Sequence, residues 1–323
     1  MLGLLLLAAG PLRGQTHVVV ITGLSGEPRY AELFEQWATT LIDAARERWN
    51  VPESNVVYLA EEADGAAGLV SARSTRENIQ RELEELAART APGDQIIIVL
   101  IGHGSTRAGE ARFNLPGPDM TAADFDALLQ VFGDRKVALI NGASASGDFI
   151  PELSAPDRVV VTATRSGRER SETMFPRFFV QAFAGDDADA DKDGRVSILE
   201  AFNYAQGEVA RAYEREGRLL TEHALLDDNG DGVGSDAPGI EADDGALAQA
   251  IYLAAGPGDV VSTSDPRLRT LYERRRALER EIAELRARKD ELSSEEYERE
   301  LERLLVEVAL TTREIRALEG GER

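Results

Sequence analysis

Two short stretches of this chain end on residues that could do chemistry. Residues 95–105 read QIIIVLIGHGS, which sets His103 and Gly104 behind an unbroken apolar run. Residues 136–147 read KVALINGASASG and set Ser144 behind another. A hydroxyl attacks only when a base takes its proton, and imidazole is the side chain suited to that near neutral pH. His103 is therefore the candidate base and Ser144 the candidate attacking group. The bland alternatives are a satisfied histidine at a strand end and a small residue in a tight strand-to-helix turn. The chain has 3 histidines, His17, His103 and His223. Residues 142–146, GASAS, fall one glycine short of a Gly-x-Ser-x-Gly elbow, for which His223 would be the partner, but that leaves His103-Gly104 unexplained.

A second chemistry is written in carboxylates. Asp189, Asp191, Asp193, Gly194, Arg195 and Glu200 stand at positions 1, 3, 5, 6, 7 and 12 of an EF-hand loop. Oxygens at alternate positions converge on one hard cation because the glycine permits a sharp turn. Arg195 would contribute its carbonyl, and Glu200 would close the site bidentately. Calcium is the expected ion. Gly185 cuts short the helix that should enter the loop, so a full two-helix hand is not expected. Asp227, Asn229 and Asp231 repeat the opening of the motif, but Pro238 stands at position 12, leaving Asp236 or Glu241 to help or the loop as an acidic turn.

The elements that must position these residues alternate regularly. Strands are expected at 17–22 and 55–60, with an amphipathic helix over 30–49 between them. A capping box of Ser74 and Glu77 opens a helix to residue 88. The His103 strand follows, then a helix from Thr121 to Phe132, then the Ser144 strand. Apolar runs too short for helices and rich in β-branched residues are parallel strands covered on both faces. The expected fold class is therefore α/β, a mainly parallel sheet with helices on both faces, and ligands meet such sheets at the carboxyl ends of the strands.

A strand ending in His-Gly followed by one ending in Ala143-Ser144-Ala145-Ser146-Gly147 resembles the legumain and caspase clan (clan CD) of cysteine peptidases, with serine where that family has its nucleophilic cysteine. The stretch from Arg158 to Glu172 is similar to the strand and loop that wall the legumain substrate pocket. The resemblance covers roughly residues 16–184. It implies a caspase-like sheet and peptide-bond hydrolysis by His103 and Ser144. It also implies that the N–H groups of Gly104 and Ser144 serve as oxyanion donors. Serine is far less acidic than cysteine, and oxygen in a site built for sulfur loses most of the rate. The alternative is an inactive pseudo-peptidase that binds peptides or proteins, ordered by calcium.

Composition bounds the rest. With 323 residues, 43% of them hydrophobic, the chain can bury one large core and carry an appendage. A net charge of -22 leaves no basic surface for nucleic acid. The absence of cysteine excludes disulfides and thiolate metal sites. Residues 1–15 read as an export signal with a short apolar core, so the protein is expected to be secreted or periplasmic, with no membrane span. The expected division is a caspase/legumain-like domain over 16–185, a calcium-loop and helical extension packing on that core over 186–262, and a tail over 263–323. In the tail Leu271, Leu278, Ile282, Leu285 and Leu292 mark one apolar seam and Tyr297, Leu301, Leu304, Val308, Ile315 and Leu318 another. These fit an antiparallel coiled-coil hairpin, opened at its second helix by Ser293 and Glu296 and able to support self-association.

Overall fold

A computed structural model of the chain describes residues 14–254, 266–287 and 293–319. Residues 1–13 of the expected export signal and Leu292 of the tail lie outside the described residues. The chain divides into two compact units, Met1–Pro257 and Gly258–Arg323.

The first unit is built on a seven-stranded sheet in the order β10-β9-β8-β4-β1-β2-β3. Its central strands are β1 (Thr16–Thr22), β2 (Val56–Ala60), β4 (Gln95–Ile101), β8 (Lys136–Asn141) and β9 (Arg158–Thr162), all parallel. The edges are β3 (Ala72–Arg73) and β10 (Leu225–Asp227), the latter antiparallel to β9. β1 and β4 are buried along their whole length, as runs without a polar side must be. Successive residues of each strand point to opposite faces, and the two faces have separate cores. Val18, Val20, Ile97, Val99 and Ile140 pack with α1 (Pro28–Asp43), α5 (Phe175–Ala184) and α6 (Ile198–Arg215). Val19, Ile21, Ile98, Leu100 and Leu139 pack with α2 (Arg76–Arg89), α3 (Ala122–Leu129) and α4 (Ile150–Leu153). The mainly parallel α/β sheet with helices on both faces is thus the architecture observed.

Two local features differ from the sequence pattern. The N-cap of α2 is Thr75, which accepts from Asn78 N–H, and not Ser74. Ser74 is still extended beside the sheet, its N–H given to the Ala60 carbonyl at 2.7 Å, so it cannot turn into the cap. Directly after His103 the chain forms a small antiparallel sheet of β5 (Gly104–Arg107), β6 (Glu110–Phe113) and β7 (Met120–Thr121). Its first turn is the pair Ala108 (φ 55°) and Gly109 (φ 88°), both left-handed. A two-residue turn with positive φ at both positions normally announces itself as Asn-Gly, and alanine hides it.

The segment from 186 to 254 belongs to the first unit, to which it contributes β10 and the short α7 (Ala246–Gln249). The second unit holds α8 (Pro266–Ala287) and α9 (Ser294–Glu319). Leu268 and Tyr272 meet Ile315, while Leu278 and Ile282 meet Leu304, so the two helices pack in opposite directions. Ser293 and Glu296 exchange hydrogen bonds at the head of α9.

Candidate functional site

The strand order reverses between β1 and β4: from β1 the chain steps outward through β2 and β3, then returns to the other side of β1. Ligands of open α/β sheets bind in the crevice outside the carboxyl ends at such a switch. His103 leaves β4 there, Ser25 leaves β1 beside it, and Ser144 follows neighbouring β8. The structure brings both residues of the expected dyad to this edge. His17 lies at the opposite, amino end, where it bonds Asp94 at 3.1 Å and serves the fold.

The imidazole of His103 is half-buried. It stands edge-on to Tyr30, with ring centres 4.5 Å apart, and to Phe34 at 5.2 Å, and it hydrogen-bonds the backbone of Ser25. Burial lowers its pKa, opposed by the charge of Glu172. Glu172 accepts from the Tyr30 hydroxyl at 3.0 Å and lines a cleft of about 400 Å³ between α1 and α5, with Trp37, Thr40 and Arg177 also in its wall.

Ser144 is buried, 4% exposed. Its Oγ accepts from the Gly104 N–H at 3.3 Å and donates to the Gly104 carbonyl, also at 3.3 Å. Among the described residues no hydrogen bond joins Ser144 to His103. The backbone at Gly104 approaches so closely that a Cβ there would overlap the Ser144 carbonyl oxygen. Ala145 follows in the left-handed region (φ 54°), an uncommon state for a residue with a Cβ.

The loop over 163–172 locks onto this turn. The Glu169 carbonyl accepts from Ala145 N–H at 2.8 Å, and its carboxylate takes the Arg165 N–H at 3.0 Å. The same carboxylate bonds His223 Nδ1 at 2.7 Å, so His223 supports the Ser144 turn through Glu169 and is not itself a partner of Ser144. Gly147 lies against the backbone of Arg165 and Ser166 with no room for a side chain. Next in the chain, Glu222 receives the N–H groups of Met174 and Phe175 at 2.8 and 2.7 Å and so caps α5. Its carboxyl is pushed up to about 7, chiefly by burial, with the charges of Glu169 and Glu172 adding to it. Glu169 and Glu222 could not be found from the sequence, because each acts on elements far along the chain.

The loop after α5 gathers Asp189, Asp191 and Asp193 so that one oxygen from each lies within 4.8 Å of the others. Gly194 makes the turn at φ 78°, as the motif requires. Glu200 Oε1 faces the loop and accepts from Ala190 N–H at 3.0 Å, while Oε2 accepts from Ser197 N–H and Oγ, each at 2.9 Å, and caps α6. Burial raises the pKa of Asp189 and Glu200. Arg195 adds a feature the motif lacks: its side chain holds Asp193 Oδ2, with Nε at 2.9 Å, and lies over the Tyr252 ring at 3.8 Å. The converging carboxylates and the glycine turn fit a hard divalent cation, and Arg195 supplies part of the neutralising charge itself. In the second loop Asp227, Asn229 and Asp231 are also neighbours, with Asn229 Oδ1 accepting from Asp231 N–H at 2.8 Å.

No helix among the described residues is long and apolar enough to cross a membrane. No protein-family profile matches the chain, and no curated protein matches it. Among solved structures it is similar to a secreted C11 cysteine protease from Bacteroides thetaiotaomicron, iotapain. Their identity is 11%, 67% of each chain is covered, and the TM-score is 0.38.

Proposed function

We propose that this chain is a peptide-recognising protein on a caspase- and legumain-like scaffold, with Ser144 occupying the catalytic position without serving as a nucleophile. One observation carries the reading. The Gly104 N–H, which hydrolysis would need for the oxyanion, is spent on Ser144 Oγ, and the Ser144 proton is spent on the Gly104 carbonyl. A serine satisfied in both directions has no reason to give its proton to an imidazole. The peptide would enter at the β1–β4 switch beside His103 and Glu172.

Hydrolysis is the second reading, favoured by the placement of His103 and Ser144 after neighbouring strands, with burial lowering the pKa of the imidazole. In it, a substrate carbonyl displaces Ser144 Oγ from Gly104 N–H and turns the hydroxyl toward His103.

The calcium loop belongs to the same proposal. Asp189, Asp191, Asp193, the Arg195 carbonyl and Glu200 are the expected ligands, and calcium would order the segment between α5 and α6. Modules of this type outside the cell bind at roughly 0.1 to 1 mM, consistent with an exported protein. Self-association through α8 and α9 completes the reading, with Leu305, Val306 and Leu310 exposed on α9. A sedimentation coefficient independent of concentration would remove that part.

A fluorogenic peptide library in millimolar calcium tests the site with the native chain, Ser144→Ala and Ser144→Cys. The expected outcome is cleavage by the cysteine form alone. Cleavage by the native chain that is lost in Ser144→Ala would establish hydrolysis instead. Silence from all three would leave the fold standing, remove peptide recognition at Ser144 from the reading, and point to the calcium loop and the helical hairpin as the working parts.

A further inference from the structure

The second acidic loop has a property that the first lacks. Asp227, the last residue of β10, is wholly buried. Its Oδ1 accepts from Ser154 Oγ at 3.2 Å and from Gly230 N–H at 3.3 Å, both in or against the loop. Its Oδ2 is buried and has no hydrogen-bond partner. An unpaired carboxylate oxygen inside a protein is costly, and each such group in a folded chain calls for an ion or a proton.

The groups around Asp227 add to the demand. Asp228 and Asp244 are buried as well, 8% and 2% exposed. Asp228 is fully used, its two oxygens accepting from Gly245 and Ala248 N–H at 2.8 Å each. Asp244 spends one oxygen on Asp228 N–H at 3.1 Å. The neighbours whose charge bears on Asp227 and Asp244 are carboxylates, Asp231 on the first and Asp227, Asp228 and Asp231 on the second. In the first loop an arginine stands on the central carboxylate; here the neighbouring charges are all of one sign. Gly230 (φ 82°) and Gly232 (φ 76°) turn the backbone. Asn229 Nδ2 reaches the Asp243 carbonyl at 3.4 Å, which lays residues 243–244 against the loop.

We propose that residues 227–233 and Asp244 form a second calcium site. Its ligands are Asp227, Asn229, Asp231 and the Val233 carbonyl, and Asp244 takes the part that a glutamate at position 12 plays in an EF-hand, a place held here by Pro238. Calcium is the class of ion because every donor is a hard oxygen and the set carries three formal negative charges. The site pins three elements at once: β10 through Asp227, the end of α4 through Ser154, and α7 through Asp228. Ser154 receives the Gly232 N–H at 2.9 Å and ends the helix that follows the Ser144 turn, so the ion would steady that turn from outside the sheet edge.

Calorimetric titration with calcium chloride, on the full chain and on Asp227→Asn, Asp244→Asn and Asp189→Asn, tests this inference. The native chain is expected to bind two ions. Asp227→Asn and Asp244→Asn should each weaken the same ion at least tenfold, and Asp189→Asn the other. Asp227→Asn should also melt higher than the native chain in chelator, because it removes a buried charge without changing shape. Native stoichiometry and affinity in both Asp227→Asn and Asp244→Asn would overturn the site. Loss in Asp227→Asn alone would overturn the closing role of Asp244. If Asp189→Asn leaves the titration unchanged while the other two lose an ion, the first loop fails and this site stands.

Discussion

At Gly104 one residue serves both the sheet and the site. Its amide holds Ser144 Oγ, and the missing side chain lets the Ser144 carbonyl lie against its α-carbon. Gly104→Ala should cost about 3 kcal/mol, the overpacking penalty of a site that cannot yield without moving backbone, read as a shift in urea midpoint. Glu222 offers a titration. Its folded pKa of about 7 lies above the ordinary 4.5, so its contribution is fully present below pH 4.5 and is lost as pH rises through 7. The loss is about 3 kcal/mol. The stability difference between the native chain and Glu222→Gln should fall by that amount between about pH 4 and pH 8, a comparison that cancels the histidines; a flat difference would refute the burial account. At this scale the sequence pattern reveals residues that end an apolar run. His103 and Ser144 show themselves that way, whereas Glu222 caps a helix 47 residues before it and Asp244 bonds a backbone 16 residues before it.

At the scale of elements, a strand leaves a plain record in its run of β-branched residues, and β1, β4 and β8 could be read as written. Ends are harder, because capping depends on where the preceding residue is held. Thr75→Ala should cost α2 about 1 kcal/mol. Ser74→Ala should be within about 0.5 kcal/mol of neutral, since the Ser74 hydroxyl is buried without a partner. Equal costs at the two positions, measured by chemical denaturation, would return the cap to Ser74. The sheet of β5, β6 and β7 was illegible because its turn uses alanine in a left-handed conformation. That sheet holds the strand end in place, with Asn114 N–H given to the His103 carbonyl at 3.0 Å.

For the molecule as a whole, a charge of -22 is spread unevenly in depth. Asp189, Glu200, Asp227 and Asp244 are all raised by burial, so the fold without a cation holds acids that would be more stable elsewhere. Calcium at ten times its Kd should add about 1.4 kcal/mol per bound ion. Thermal melts in calcium and in chelator check this, and an unchanged midpoint would dismiss it. What the residues do not announce is that β10 enters the sheet from residues 225–227, after two helices and a long acidic segment. The sheet's two outermost strands are also its shortest, two residues in β3 and three in β10. A strand of that length offers few free backbone groups to a foreign chain, and β10 passes at once into a run of carboxylates. Edge strands this short, one of them running into carboxylates, leave the sheet closed to fibre-like growth at both borders.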